Sequence, residues 1–102
     1  MVNSVTIGML IIAGSLTVDP AERDGYVAAC IAAVEAALAA PGCLDFSITA
    51  DTVDPSRVRI FERWDNVDDL LAFRGSGPSD AQQASILDAD VKRYAISSVD
   101  DA

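Results

Sequence analysis

The first half of the chain changes from a β-type to a helical pattern of apolar residues. Residues 5–18 are rich in Val, Ile, Leu and Thr, which predicts a long first strand. Asp19, Pro20 and Glu22 then form a helix start, with the aspartate as cap and the proline at the first helical position. The predicted helix extends to about residue 40, where a Pro-Gly pair ends it. Its apolar stripe comprises Val27, Cys30, Ile31, Val34 and Leu38.

A hairpin is predicted in the middle of the chain. Its first strand is half-buried, because Leu44, Phe46, Ile48 and Ala50 alternate with polar residues. Residues 53–56 have turn chemistry, and residues 57–65 form the second strand. One face of that second strand carries Val58, Ile60, Glu62 and Trp64, and the other carries Arg59, Phe61 and Arg63.

The last third of the chain predicts a second helix and a final strand. Asn66 can cap this helix, whose stripe consists of Val67, Leu70, Leu71 and either Phe73 or Arg74. Residues 75–77 break the helix, and Pro78 restarts a short helical segment that runs to about Leu87. Residues 91–99 form the last strand, and residues 99–102 are expected to be a flexible tail.

The resulting order, β-α-β-β-α-β, is that of the ferredoxin-like α+β fold. We therefore expect a single domain over residues 1–102, with a four-stranded antiparallel sheet and helices on one face. In a domain of this size, helices can cover only one face of a four-stranded sheet, so the second face has none.

The first strand is apolar on both faces, which predicts a homodimer. One alternating set is Val5, Ile7, Met9 and Ile11, and the other is Leu10, Ile12, Leu16 and Val18. Helices cover one set, and the other set would form a large exposed apolar patch in a monomer. The expected interface includes one of these sets and the segment 94–99; the pattern leaves open which set faces the partner.

Composition narrows the possible partners and chemistry. The formal net charge is −9, which disfavours nucleic acid and anionic membranes as partners. No apolar run is long enough to span a bilayer, and no secretory leader is evident, so we expect a cytoplasmic protein. The chain has no histidine, which excludes histidine-based nucleophilic triads and, with only Cys30 and Cys43, a zinc site. Both cysteines are expected to be buried thiols, and no metal is expected.

Several short motifs carry a resemblance to a known family over about residues 5–99. They are Pro41-Gly42-Cys43-Leu44-Asp45-Phe46, Asp54-Pro55, Phe61-Glu62-Arg63-Trp64, Asn66 and Leu70-Leu71. With these motifs the chain resembles the antibiotic biosynthesis monooxygenase family. The resemblance implies a dimeric α+β barrel with a pocket between the sheet and the helices of each monomer. It also implies oxygenation of a small aromatic or polyketide-like compound, with neither metal nor flavin as cofactor.

The candidate catalytic residues are Glu62 and Trp64. Glu62 is either a general base or a structural acceptor that pairs with an arginine. Trp64 either stacks on an aromatic ligand or belongs to the core. The candidate substrate-binding residues are Phe61, Phe73, Arg93 and Tyr94: the phenylalanines would line the pocket, and Arg93 or Tyr94 would stabilise a developing anion.

A second function remains open from the sequence. Many members of the family carry a histidine nine residues after the tryptophan, and this chain has Phe73 there. Haem degradation, which requires a ligating histidine on this segment, is disfavoured. The alternative to an oxygenase is a non-catalytic small-ligand-binding or assembly module that keeps the fold.

Overall fold

The computed structural model describes residues 8–75 and 80–102 and contains one antiparallel sheet of four strands. The strands are β1 (Leu10–Val18), β2 (Cys43–Ala50), β3 (Arg57–Trp64) and β4 (Ile86–Ala95), in the spatial order β2-β3-β1-β4. The helices in these ranges are α1 (Arg23–Ala29), α2 (Ile31–Leu38), α3 (Val67–Arg74) and α4 (Asp80–Ser85). The ferredoxin-like α+β fold is confirmed. The first predicted helix is divided into α1 and α2, whereas α3 and α4 correspond to the predicted second helix and the short helical segment after it.

The strand register decides which side chains share a face. On the central strand β1, Ile12 lies opposite Glu62 of β3 and Arg93 of β4. These three residues therefore project toward the helices. Because side chains alternate along a strand, the neighbouring Phe61 and Tyr94 project to the open face of the sheet.

The core lies between the sheet and the helices. The helix-facing set of β1 is Leu10, Ile12, Leu16 and Val18, all buried. Trp64 and Val58 of β3 and Leu70 of α3 are almost wholly buried against them. The pattern in the sequence left the orientation of β1 open, and the structure places Ile11 on the open face.

The first predicted helix begins later and packs differently than expected. Asp19 accepts a hydrogen bond from Ala21 N at 2.8 Å, so it caps a turn, and regular helix begins at Arg23. The stripe that faces the sheet is Tyr26, Val27, Cys30, Val34 and Ala37. Ile31 and Leu38 are 57% and 54% exposed, so their predicted burial is wrong. Because the fully buried side chain of Ala37 is small, the helix approaches the sheet along the stripe that contains Ala37.

Register shifts account for two other errors. The pairing of β2 with β3 shifts between Cys43 and Asp45, which leaves Leu44 exposed rather than buried. The pairing of β1 with β4 shifts at Val18, and Leu87 is exposed there. Leu87 belongs to a strand, not to the predicted helix, because β4 begins at Ile86.

The last strand and α3 also differ from the prediction in detail. β4 ends at Ala95, so residues 96–99 of the predicted strand, like the expected tail, have no regular secondary structure. Asn66 caps α3 as predicted: its Oδ1 accepts from Asp69 N at 2.8 Å. On α3 Leu70 is buried and Phe73 is half-buried, whereas Val67 and Leu71 are exposed. Only the side of this short helix that carries Leu70 and Phe73 packs against the sheet.

Some predicted features lie outside the described residues, namely positions 5–7 of the first strand, residues 76–77 of the helix break and Pro78. Neither cysteine forms a disulfide in the described part of the chain; Cys30 is buried as expected, and Cys43 is only half-buried. None of the helices in the described ranges is long and apolar enough to cross a membrane.

Candidate functional site

An open pocket of about 290 Å³ lies between α3 and the β1–β4 side of the sheet. Its lining residues are Ile12, Leu70, Leu71, Arg74, Val91, Lys92 and Arg93. The antiparallel pairing of β1 with β4 brings Ile12 opposite Arg93 and Gly14 opposite Val91. Helix α3 supplies Leu70 and, one turn later, Arg74. The pocket therefore combines an apolar floor with cationic side chains.

Glu62 lies beside this pocket and is connected to it through Arg74. The glutamate is 5% exposed. Its Oε1 accepts a hydrogen bond from Trp64 Nε1 at 3.0 Å, and Arg74 Nη2 lies 3.1 Å from Oε1 and 2.9 Å from Oε2. Both oxygens are thus engaged by donors, and the negative charge is paired. This geometry is that of a structural acceptor, which favours the second of the two interpretations of Glu62.

Three aromatic rings pack against one another behind Glu62. The Trp64 and Phe73 ring centroids are 5.5 Å apart at an interplanar angle of 37°. Phe73 meets Phe46 edge-on at 5.7 Å and 69°. Trp64 is completely buried, so no face of its ring is available for stacking with a ligand. The geometry assigns Trp64 to the core and to hydrogen bonding with Glu62.

The structure brings together some of the predicted site residues and separates others. Glu62, Trp64, Phe73 and Arg93 all lie on the helix-facing side of the sheet, and of these Arg93 lines the pocket. Phe61 lies opposite Ala13 and Ser47 on the open face, and Tyr94, which is 51% exposed, lies opposite Ile11 on that face. Phe61 and Tyr94 are therefore remote from the pocket.

Arg74 is the pocket residue that sequence reasoning did not select. It was considered only as a possible member of the apolar stripe of its helix. The signal was the occurrence of a charged residue at a position where the helical period expects an apolar one. Its partner Glu62 is twelve residues away, on another element, so no local pattern connects the two.

The pocket is locally positive in an otherwise acidic chain. Arg74 is paired with Glu62, whereas Lys92, opposite Ala13, directs its side chain to the open face, where Nζ lies 2.7 Å from Asp90 Oδ1. The hydrogen bond to Asp90 raises the pKa of Lys92, which stays charged. Among the described residues, none accepts a hydrogen bond from the guanidinium of Arg93. One positive charge at the pocket is therefore uncompensated by its described neighbours.

The thiols do not supply a nucleophile near this pocket. Burial raises the pKa of Cys43 and of Cys30, so both stay protonated at neutral pH. Within residues 8–75 and 80–102, no cluster of three or more His, Cys, Asp or Glu is arranged to hold a metal ion.

Comparison with known proteins gives one family and many similar folds. The family model described as "Antibiotic biosynthesis monooxygenase" matches residues 9–85. A solved structure from Chloroflexus aurantiacus has a TM-score of 0.70 and 22% identity, covering 91% of this chain and 97% of that one. A solved structure from Deinococcus radiodurans has a TM-score of 0.73 and 20% identity, covering 91% of this chain and 97% of that one.

A third, from Nitrosomonas europaea, has a TM-score of 0.73 and 16% identity, covering 86% of this chain and 89% of that one. All three carry the description "putative antibiotic biosynthesis monooxygenase". At these identities the likeness establishes the fold only. No curated protein matches the sequence.

Proposed function

Because the chain belongs to the antibiotic biosynthesis monooxygenase family, we propose that it is a cofactor-independent monooxygenase acting on a small aromatic or polyketide-like compound. The observation that carries the proposal is the pocket in which Arg74 and Arg93 stand beside apolar Ile12, Leu70 and Val91. The apolar side chains suit the carbon skeleton of such a compound, and the guanidinium groups suit an anionic oxygen on it.

The arginines would promote a direct reaction between the substrate and dioxygen. A cation beside a phenolic hydroxyl favours the phenolate, which is electron-rich enough to reduce dioxygen. A carbon–oxygen bond then forms at the ring carbon para to the phenolate. That carbon loses its hydrogen and the O–O bond breaks, so one oxygen atom remains in the quinone and the other leaves as water. Dioxygen is the oxidant, and the phenol is oxidised.

Glu62 and Trp64 have positioning roles in this mechanism. The Glu62 carboxylate fixes the guanidinium of Arg74 at the pocket, and the Trp64 indole fixes the carboxylate. The proton of the phenol passes to solvent through the open side of the pocket. We therefore assign contact with the substrate to Arg74 and Arg93, and assign Glu62 to the support of Arg74.

Oxygen consumption tests the proposal. The enzyme is offered a panel of anthrones and of phenols and 1-naphthols whose para carbon carries hydrogen, and oxygen uptake is recorded together with quinone formation. We expect turnover of at least one compound and a fall of about tenfold or more with Arg93→Gln, since a charged hydrogen-bond donor is lost. Glu35→Gln, which also neutralises one charge but at an exposed position on α2, is the control and should turn over normally. Absence of turnover across the panel by correctly folded protein would refute the oxygenase.

A second candidate function, a non-catalytic small-ligand-binding or assembly module, is supported by a specific observation. The buried carboxylate beside the pocket, Glu62, is fully engaged by Trp64 and Arg74, which leaves no evident base there. Such a module would bind the same compounds in the pocket and consume no oxygen. The oxygen-uptake assay, combined with a binding measurement, separates the two functions.

We also propose that the protein is a homodimer through the open face of its sheet. Ile11, Ala13 and Phe61 lie on this face, opposite to the core residues against which α2 and α3 pack. A two-fold contact between two such faces would bury them. No disulfide joins Cys30 and Cys43, which suits a reducing compartment, and we propose a cytoplasmic location on that basis.

A further inference from the structure

We propose that the pocket selects organic anions, specifically small aromatic acids, and that Arg93 determines this specificity by pairing with the carboxylate of the ligand. The inference rests on the proposed function for the location of the ligand. It goes further by specifying a charge that the ligand carries before any reaction, in addition to the phenolate that forms during turnover.

The first support is the balance of charge around the pocket. Arg74 and Arg93 contribute two positive charges, and Glu62 compensates one of them through Arg74. The pair of Lys92 and Asp90 is neutral in itself. Arg93 is left as the cation without a described acceptor, in a chain whose formal net charge is −9. A ligand carboxylate would complete the pairing.

The second support is the way in which β4 separates its charges. Asp88 and Asp90 lie opposite Thr17 and Ser15 of β1, so both carboxylates project to the open face. Arg93 lies opposite Ile12 and projects to the helix-facing side. Alternation along the strand therefore keeps the acidic residues of β4 away from Arg93. An anion that enters the pocket meets the guanidinium and not these carboxylates.

The third support is the difference in hydrogen bonding between the two arginines. Arg74 already donates to both oxygens of Glu62, which fixes its orientation. Arg93 retains its full fork of donors, whose geometry matches a carboxylate in a bidentate pair. Ile12, Leu70 and Val91 line the same pocket and provide an apolar surface suited to a ring. The volume of about 290 Å³ is at the low end for ligand pockets, which favours a small acid.

The experiment compares an acid with its neutral analogue of the same shape. The probes are 1-hydroxy-2-naphthoate and 1-hydroxy-2-naphthamide, and binding is measured under anaerobic conditions by titration calorimetry and by the fluorescence of Trp64, the chain's single tryptophan. We expect the acid to bind at least about tenfold more tightly than the amide, as a charge-assisted hydrogen bond provides. Added salt should weaken binding of the acid more than that of the amide.

Variants assign the selectivity to one residue. Arg93→Gln should abolish the preference for the acid, because binding of the acid weakens while binding of the amide is unchanged. Arg93→Lys should retain part of the preference. Glu35→Gln removes an exposed charge from α2 and should leave both affinities unchanged. Circular dichroism and thermal melting check that each variant is folded.

Three results would overturn the inference: equal binding of acid and amide, binding of neither, or an unchanged preference in Arg93→Gln. Because binding is measured without oxygen, its outcome is independent of turnover. Selective binding of the acid by a protein that consumes no oxygen would refute the oxygenase and leave the anion site standing. Turnover of neutral anthrones or 1-naphthols without selectivity for acids would support the oxygenase and refute the anion site.

Discussion

The indole nitrogen of Trp64 donates a hydrogen bond to the carboxylate of Glu62, its neighbour but one on β3, at 3.0 Å. Residues two apart on a strand share a face, so this contact is built into the strand itself. It satisfies the N–H of a fully buried tryptophan and one oxygen of a buried glutamate at the same time. Arg74, arriving from α3, then supplies the opposite charge.

The first prediction concerns this network. Glu62→Gln keeps an oxygen that can accept from Trp64 but loses the charge that attracts Arg74. We expect the free energy of unfolding to fall by about 1–2 kcal/mol, the value of a hydrogen bond to a charged group. Glu35→Gln, at an exposed position on α2, is the control and should change it by less than about 0.5 kcal/mol. Urea denaturation measures both, and equal stability of the two variants would contradict the role of the network.

The second prediction uses two adjacent leucines of α3. Leu70 is 1% exposed in the core, whereas Leu71 is 56% exposed. Leu70→Ala should lower the free energy of unfolding by about 2–5 kcal/mol, through lost burial and the cavity that remains. Leu71→Ala should cost less than about 1 kcal/mol because it loses little buried area. Denaturation at one fixed protein concentration compares them, and similar costs would show that α3 is rotated differently.

The third prediction concerns the contact between β1 and β4 at Gly14. Gly14 has φ 153°, and a Cβ there would lie 2.7 Å from Val91 Cα and still closer to the carbonyl oxygen of Asp90. Gly14→Ala should therefore disrupt β4 pairing and destabilise the protein by more than about 2 kcal/mol. At Gly25, inside α1, nothing lies within 4 Å of an added Cβ.

Gly25→Ala is the matched control. Alanine has the higher helix propensity, so this variant should gain about 0.5–1 kcal/mol. The melting temperature should thus fall for Gly14→Ala and rise for Gly25→Ala, relative to the wild type. A Gly14→Ala variant as stable as the wild type would mean that β4 does not approach β1 closely at this point.

The fourth prediction is a pH dependence from the β2–β3 hairpin. Asp51 accepts hydrogen bonds from Asp54 N at 2.7 Å, Arg59 Nε at 2.7 Å and Val53 N at 3.0 Å. These bonds, with the one from Asp54 first, hold the pKa of Asp51 well below its ordinary value. A carboxyl group whose pKa is depressed by folding stabilises the fold above its unfolded pKa of about 3.9, and the effect is lost as the pH falls toward its folded pKa.

Asp51→Asn should accordingly be less stable than the wild type at pH 7, with a difference that shrinks as the pH is lowered below about 4. Denaturation at a series of pH values measures it. Asp101→Asn, in the exposed C-terminal segment, should follow the wild type throughout. A stability difference for Asp51→Asn that stays constant down to low pH would show that the hairpin does not depend on the charged carboxylate.

The fifth prediction tests the dimer. Ile11→Asp places a charge on the open face of the sheet, where it would be buried in a two-fold contact at a high cost. We expect wild-type dimers and Ile11→Asp monomers or aggregates in sedimentation at micromolar concentration. Asp100→Asn, outside the sheet, should assemble like the wild type. A monomeric wild-type protein would refute the dimer.

The order of elements could be predicted because it depends on strong local signals. Alternation in residues 57–65 and the capping side chain of Asn66 each specify their element within a few positions. The errors occurred where two patterns were nearly equivalent. Cys30, Val34 and Ala37 fit the helical period as well as Ile31, Val34 and Leu38 do, and only the approach of the helix to the sheet distinguishes them. The bulge at Leu44 depends on pairing with β3, which the local sequence does not encode.

The candidate site was predictable in part for the same reason. Glu62 and Trp64 were recognised as sharing a face, since a strand has a fixed period of two. The orientation of Phe61 and Tyr94 away from the pocket follows from the same rule, once the helix-facing side is known. The partnership of Glu62 with Arg74 requires the packing of α3 on β3, a tertiary relationship. The sequence therefore supplied Glu62, Trp64 and Arg93, but neither Arg74 as a member of the site nor its pairing with Glu62.

The adjacency of Phe61 and Glu62 has a consequence for how such a protein can diverge. The two side chains lie on opposite faces, so a substitution at either position alters only one of the two surfaces. Ligand preference can therefore drift while assembly is retained, through point changes alone. A single-residue insertion or deletion within β3 would exchange the two faces at once, bringing Phe61 toward the helices and Glu62 to the open face. Gains and losses of residues should accordingly be confined to the loops.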